Sequence, residues 1–139
     1  VPVELSIPLV LFVIAIVEEL AKSLHVYAGF RRGRFSGGRF GTVLVGLSSG
    51  VGFFVAEKLL AITQLVGLPN LDVGRAAFAP EVLGLGAGVL LLAPLGLHAV
   101  TATVSALGAS HSRRRYLLGL ALAVSIHLAY NLAVVSVLG

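Results

Sequence analysis

The sequence predicts an all-α membrane protein, a polytopic bundle of about four transmembrane helices. Composition is the first of three observations behind that prediction. Apolar residues make up 58% of the 139 residues and charged residues only 12%, against roughly 45–50% and 25% in soluble domains. Second, the apolar residues run without interruption for lengths that match the roughly 20 residues a helix needs to cross a bilayer. Third, seven of the ten basic residues fall in two short segments between those runs.

Taken in order, the runs cover roughly residues 5–28, 42–66, 82–109 and 116–138. Each is far longer than the roughly 10 alternating residues of a barrel strand, so helices are the reading. The first run is not a signal peptide, because it lacks a basic start and carries Glu18, Glu19 and Lys22. The second contains Gly46 and Gly50, and the third Gly84 and Gly88. This small-xxx-small spacing lets helices approach closely. Pro94, one turn before His98 in the third run, should loosen or kink that helix by removing a backbone hydrogen bond. The fourth run carries His127 and Asn131. The whole of 1–139 reads as one transmembrane domain. Because it opens on Val1 rather than Met, it is expected to be a processed chain or a fragment or core of a longer one.

The connecting segments predict orientation. Segments 29–41 and 110–115 lie on one face and hold Arg31, Arg32, Arg34, Arg39 and Arg113, Arg114, Arg115. The segment between the second and third runs holds Asp72, Glu81 and a single Arg75. The positive-inside rule therefore puts 29–41 and 110–115 in the cytoplasm. With no aromatic stacking platform or nucleic-acid motif beside them, these arginines are read as topology signals; no nucleic-acid partner is expected. The chain has no cysteine, which excludes disulfides, thiol nucleophiles, iron–sulfur clusters and Cys-based zinc sites.

Ionisable groups inside a span are rare, costly and usually functional, at roughly 2.5–3.5 kcal/mol each on insertion scales. Here Glu18, Glu19, Lys22, Glu57, Lys58, His98 and His127 all fall within spans, with Asn131 beside them. Counting ~1.5 Å per residue from the cytoplasmic ends, Glu18, His98 and His127 lie roughly 15–16 Å deep, and Glu57 and Asn131 roughly 22 Å. Four helices thus deliver polar groups to one layer. Lys22 is three residues from Glu19 and four from Glu18, so one glutamate should be neutralised by it and the other aimed at the site. His127 and Asn131 share a face, as do Phe53 and Glu57. Lys58 points about 100° from Glu57 and reads as an ion-pair or snorkelling residue. His25 and His111 lie near the cytoplasmic surface and carry no expected role.

A carboxylate and imidazoles in a wet intramembrane cavity are the components of water-activated hydrolysis. A glutamate can take the proton from water, while His and an amide orient that water or stabilise the oxyanion. The same groups could hold zinc. No metal is assigned, but if zinc is used, Glu57, His98 and His127 are its expected ligands. Other hydrolase patterns fail. Gly46-Leu47-Ser48-Ser49-Gly50 matches G-x-S-x-G, but that motif needs a strand-to-helix turn rather than a span. H-E-x-x-H and G-x-G-D are missing, and Leu47 stands where a rhomboid serine protease has Gly. The second function class the same layer suits is a proton- or cation-coupled transporter or channel.

Glu18-Glu19-x-x-Lys22, Phe53-x-x-x-Glu57, His98 and His127-x-x-x-Asn131, in order on four spans, resemble the PrsW family of intramembrane proteases. That family is related to the CAAX prenyl endopeptidases and the bacteriocin-processing (CPBP) enzymes. The surrounding Val17-Glu18-Glu19-Leu20-Ala21-Lys22, Gly52-Phe53-Phe54 and Ile126-His127-Leu128-Ala129-Tyr130-Asn131 are similar too. The resemblance implies an endopeptidase of glutamate or metallo type in a prokaryotic cell membrane, cutting membrane-associated protein or peptide substrates. By carry-over, Glu18 is the general base, Glu19 and Lys22 support it, and His127 with Asn131 stabilise the oxyanion. Glu57 stands where the prenyl endopeptidases have a histidine. Lys22 replaces their arginine, one residue closer to the glutamates. Prenylated substrates are therefore not expected.

Overall fold

The computed structural model of the protein describes the backbone of residues 3–36, 38–67 and 87–138, and side chains within 7–36, 38–60 and 92–136. Four helices account for nearly all of it: α1 Val3–Arg31, α2 Gly38–Gly67, α3 Ala87–Ala109 and α4 Arg113–Leu138. Each contains one of the anticipated spans, apart from residues 82–86. Those residues, Gly84 among them, and the acidic segment with Asp72, Arg75 and Glu81 lie outside the described residues, as does the packing of Gly88.

Three of the helices are long and apolar enough to cross a membrane by composition alone: Gly38–Leu60 of α2, Leu92–Ala109 of α3 and Arg113–Ser136 of α4. Helix α1 is as long, at 29 residues, but carries Glu18, Glu19 and Lys22. Its apolar residues face outward. Leu9, Val17 and Leu24 are 52–60% exposed, while Ala15, Glu19, Lys22, Ser23 and Val26 are buried. The whole bundle shares this inverted pattern. Its interior is Ala, Ser, Thr, His and an ion pair, and its exterior is Leu, Val, Ile and Phe. In water that arrangement exposes a large apolar surface with no compensation; in lipid the exterior costs nothing and polar contacts hold the helices together.

The two tight connections on one face have identifiable causes. Gly33 adopts φ 66°, the left-handed conformation that Gly tolerates without a Cβ clash. Its N–H bonds Phe30 O (3.1 Å) and the Arg34 N–H bonds Gly29 O (2.9 Å), a Schellman motif that closes α1. At the other turn Ser112 Oγ accepts from the Arg115 N–H at 3.2 Å, capping α4.

Helix α3 is the centre of the bundle, packed most extensively against α2 and α4, while α1 rests on α4 and α3 and touches α2 least. The pair Gly46 and Gly50 makes the α2–α3 approach possible. A Cβ on Gly46 would meet the backbone and side chain of Thr103, and one on Gly50 would overlap the backbone of His98 and Ala99. Both neighbours include main-chain atoms, which cannot swing aside. Gly50→Ala should therefore destabilise by about 1–3 kcal/mol, the usual cost of overpacking. Gly52 has nothing within 4 Å of such an atom, so Gly52→Ala should be neutral or stabilising by up to about 1 kcal/mol. Unfolding of both variants in detergent with increasing SDS measures this; equal effects would contradict the role given to Gly50. The G-x-S-x-G match occupies this same stretch of α2. Its glycines pack on α3, and Ser49 Oγ donates to the Lys22 carbonyl at 2.8 Å.

Candidate active site

Helix periodicity delivers the polar residues to one place. On α1 the buried stripe Ala15, Glu19, Lys22 and Val26 repeats at three and four residues, which puts Glu19 and Lys22 in the interior and Glu18 at the edge of the stripe. On α3 the stripe is His98, Thr101, Ala102, Ser105, Ala106 and Ala109; on α4 it is Tyr116, Ala123, Val124 and His127. Glu57 comes from α2, one turn beyond Phe53 on the face that continues Gly46 and Gly50.

At the centre is Lys22, only 1% exposed. Its ammonium donates to Glu19 Oε1, to His98 Nδ1 at 2.9 Å and to Thr101 Oγ1 at 3.0 Å. An ammonium has three protons and no acceptor, so all three are used. The Thr101 hydroxyl can pass its own proton to the His98 carbonyl at 3.4 Å. The ring of Phe53 lies 5.3 Å from the Lys22 nitrogen, within cation–π range.

This arrangement sets both histidine tautomers. Because His98 Nδ1 accepts from Lys22, its proton sits on Nε2, which donates to Glu57 Oε2 at 2.9 Å. Because His127 Nδ1 lies 2.7 Å from Glu19 Oε1, an acceptor, that nitrogen carries the proton and Nε2 is left as a lone pair. Glu18 Oε2 stands 3.4 Å from His127 Nε2. The rings of His98 and His127 meet edge to face, 5.5 Å between centroids. Two buried polar atoms have no hydrogen-bond partner among the described residues, Glu19 Oε2 in the constellation and Ser105 Oγ on α3.

A cavity of about 360 Å³ opens on this constellation, lined by Glu18, Glu57, Lys58, His98, His127 and Asn131 together with apolar side chains that include Leu97 and Pro94. Glu18 is 26% exposed there, whereas Glu19 is sealed at 0%. The division anticipated from spacing is thus present, with Glu19 the partner of Lys22 and Glu18 the carboxylate that faces the cavity. Asn131 lies on the wall and makes no hydrogen bond among the described residues. Lys58 bonds Glu57 Oε1 at 2.9 Å and sits 5.4 Å over Phe54, so of its two anticipated roles it takes the ion pair.

The metal set differs from the expectation. The carboxylate and ring nitrogens that come within 4.8 Å of one another belong to Glu18, His98 and His127. Glu57 is taken up by Lys58 and the His98 N–H, and Glu18 closes the triad in its place. Two imidazoles and one carboxylate with a free side toward a cavity are a donor set that suits catalytic zinc. Glu19 on the far nitrogen of His127 is the kind of outer carboxylate that orients a ligating histidine. The residues present fit such an ion when His98 takes its other tautomer. Lys22 then gives a proton to Nδ1 and the Nε2 proton passes to Glu57, so that the ring stays neutral and Nε2 is free to ligate. Thr101 was not singled out in the sequence. A threonine in an apolar span has no signal of its own, and only its position three residues after His98 places it beside Lys22.

No curated protein and no solved structure matches the chain. A sequence model of the PrsW family of intramembrane metalloproteases matches residues 3–139. That match covers every residue of the constellation, and the chain belongs to the PrsW family of intramembrane proteases.

Proposed function

We propose that the chain hydrolyses peptide bonds of membrane-associated substrates at the cavity between α1, α2, α3 and α4, with Glu18 as the group that takes the proton from water. The observation that carries this reading is the convergence of Glu18, His98 and His127 on one cavity, with Glu18 the accessible carboxylate. The Asn131 amide is the uncharged donor available to an oxyanion on the attacked carbonyl, since the His98 Nε2–H is already given to Glu57. His127, held by Glu19, keeps its free Nε2 beside Glu18. There it can receive the proton from Glu18 and, once an imidazolium, return it to the leaving amine or join the oxyanion donors. A zinc ion, where bound, would be held by Glu18, His98 and His127 and would supply Lewis acidity toward water and the scissile carbonyl, with Glu18 then a ligand in place of the free base. Glu57 anchors His98 in the metal-free form, because its bond is to the same Nε2 that would face the ion. Segments 29–41 and 110–115, with their seven arginines, lie on the cytoplasmic side in this reading. Family membership favours proteolysis over cation transport for the same polar layer.

The test is metal content of the purified protein together with cleavage of a quenched peptide library before and after chelation. Stoichiometric zinc whose removal stops cleavage, and whose return restores it, supports the metallo form. Full activity without metal assigns water activation to Glu18 alone. Absence of cleavage in both states, from protein that is folded in detergent, would overturn the proposal.

A further inference from the structure

At the opposite end of the polar layer from the Glu57 side, where the two arginine-rich segments lie, is a second and larger cavity. It measures about 620 Å³, in the range of small-molecule sites. Its walls are the C-terminal end of α1 and the turn after it, the first residues of α2 and the end of α3. Phe30, Phe35 and Leu107 make the apolar part, and Ser36, Arg39, Ser110 and His111 the polar part. The aromatic side is preorganised, since Phe30 and Phe35 pack edge to face at 5.4 Å. His111 Nδ1 is tied to Leu107 O at 2.8 Å, which fixes the ring and leaves Nε2 as its other polar atom.

We propose that this cavity binds the headgroup of an anionic phospholipid, with the phosphate at Arg39 and the glycerol and upper acyl chain against Phe30, Phe35 and Leu107. Charge is the first argument. Segments 29–41 and 110–115 contain seven arginines and no acidic residue, and Arg39 has no ion-pair or hydrogen-bond partner among the described residues. The first N–H groups of α2 add positive potential at the same edge. Depth is the second argument. The ends of α1 and α3 and the starts of α2 and α4 all meet on this face, where the apolar spans end and the headgroups of a bilayer would begin. Phe40, beside Arg39, is 74% exposed and adds apolar surface next to the cavity. Basic pockets between helix ends at that level are known forms of lipid recognition. Amphiphilicity is the third: a free phosphate has no use for two aromatic rings and a leucine, whereas a phospholipid does. The inference is independent of the hydrolytic mechanism and of which face is cytoplasmic.

Native mass spectrometry of the whole chain in detergent, with phosphatidylglycerol and phosphatidylcholine supplied at equal concentration, tests it. Wild type should retain phosphatidylglycerol several-fold over phosphatidylcholine. Arg39→Gln should lower that retention about tenfold, the scale of losing a charged hydrogen bond, and more than Arg113→Gln, which removes a charge from the same face but outside the cavity. Leu107→Trp, which fills the cavity without altering charge, should block retention as well, with thermal melting used to verify that each variant is folded. Equal retention of the two lipids by wild type would overturn the proposal. So would equal losses from Arg39→Gln and Arg113→Gln, which would mean diffuse surface attraction. Displacement of the lipid by millimolar inorganic phosphate, or by an acidic peptide, would assign the cavity to those ligands and overturn it too.

Discussion

Glu18→Gln is expected to reduce peptide cleavage by at least 10²–10⁴-fold, the usual worth of a positioned general base, while leaving the protein folded. Both halves of the expectation come from its position. The side chain is 26% exposed and faces the cavity, with Oε2 3.4 Å from His127 Nε2. The glutamine amide has the same shape and can donate to that nitrogen, so packing is preserved. No buried charge is orphaned either, because Lys22 is already neutralised by Glu19. The change removes only the ability to take a proton, and with it one carboxylate donor of the possible metal set. Asn131→Ala should cost less, roughly 10²–10³-fold, as for loss of one oxyanion donor. Cleavage rates on a quenched peptide, with thermal melting as the folding control, decide between assignments. If Glu18→Gln turns over normally while Glu57→Gln does not, the base is Glu57 and the roles of the two carboxylates are exchanged.

Most of the bundle was legible in the sequence because the bilayer imposes a long apolar run for every crossing, and the charges that interrupt such a run stand out. The division of labour between Glu18 and Glu19 was legible for a simple reason: a lysine at three and four residues can neutralise only one of two adjacent carboxylates, which diverge by about 100°. Depth counting placed Glu57 a turn away from His98, yet the two are bonded at 2.9 Å. Depth along the axis locates Cα atoms, and a glutamate reaches back about a turn. The same flexibility joins Lys58 to its neighbour Glu57 despite the angle between them. What spacing within single helices could not supply was the relation between helices. Thr101 completes the ammonium shell, and Glu18 rather than Glu57 approaches both histidines, only because α1 packs on α3 and α4 more than on α2. That order follows from which helices carry close-approach surfaces, a property of pairs that no one helix displays.

Lys22→Met is expected to produce the largest loss of stability of any single change at the site. Lys22 and Glu19 are 1% and 0% exposed, and removing the ammonium leaves the Glu19 carboxylate with only the His127 N–H, since its Oε2 has no partner among the described residues. Breaking a buried pair by deleting one partner costs about 3–5 kcal/mol. Interhelical hydrogen bonds in membranes average only about 0.6 kcal/mol, because the unfolded chain in lipid also finds partners. SDS-induced unfolding of the purified variant therefore separates two accounts of Lys22. A loss near the larger figure identifies it as the counter-ion of a sealed carboxylate, and a loss near the smaller one as one hydrogen-bonding group among several. The double variant Lys22→Met with Glu19→Leu removes both charges, and apolar replacement of a buried pair is often neutral or stabilising. It should recover most of the lost stability without recovering cleavage. His127 Nδ1 would then have no acceptor and His98 Nδ1 no donor, so neither ring would be held in the tautomer that presents Nε2 to the cavity as described. Restored stability together with restored cleavage would show that the ion pair serves folding alone and that the histidines find their tautomers without it.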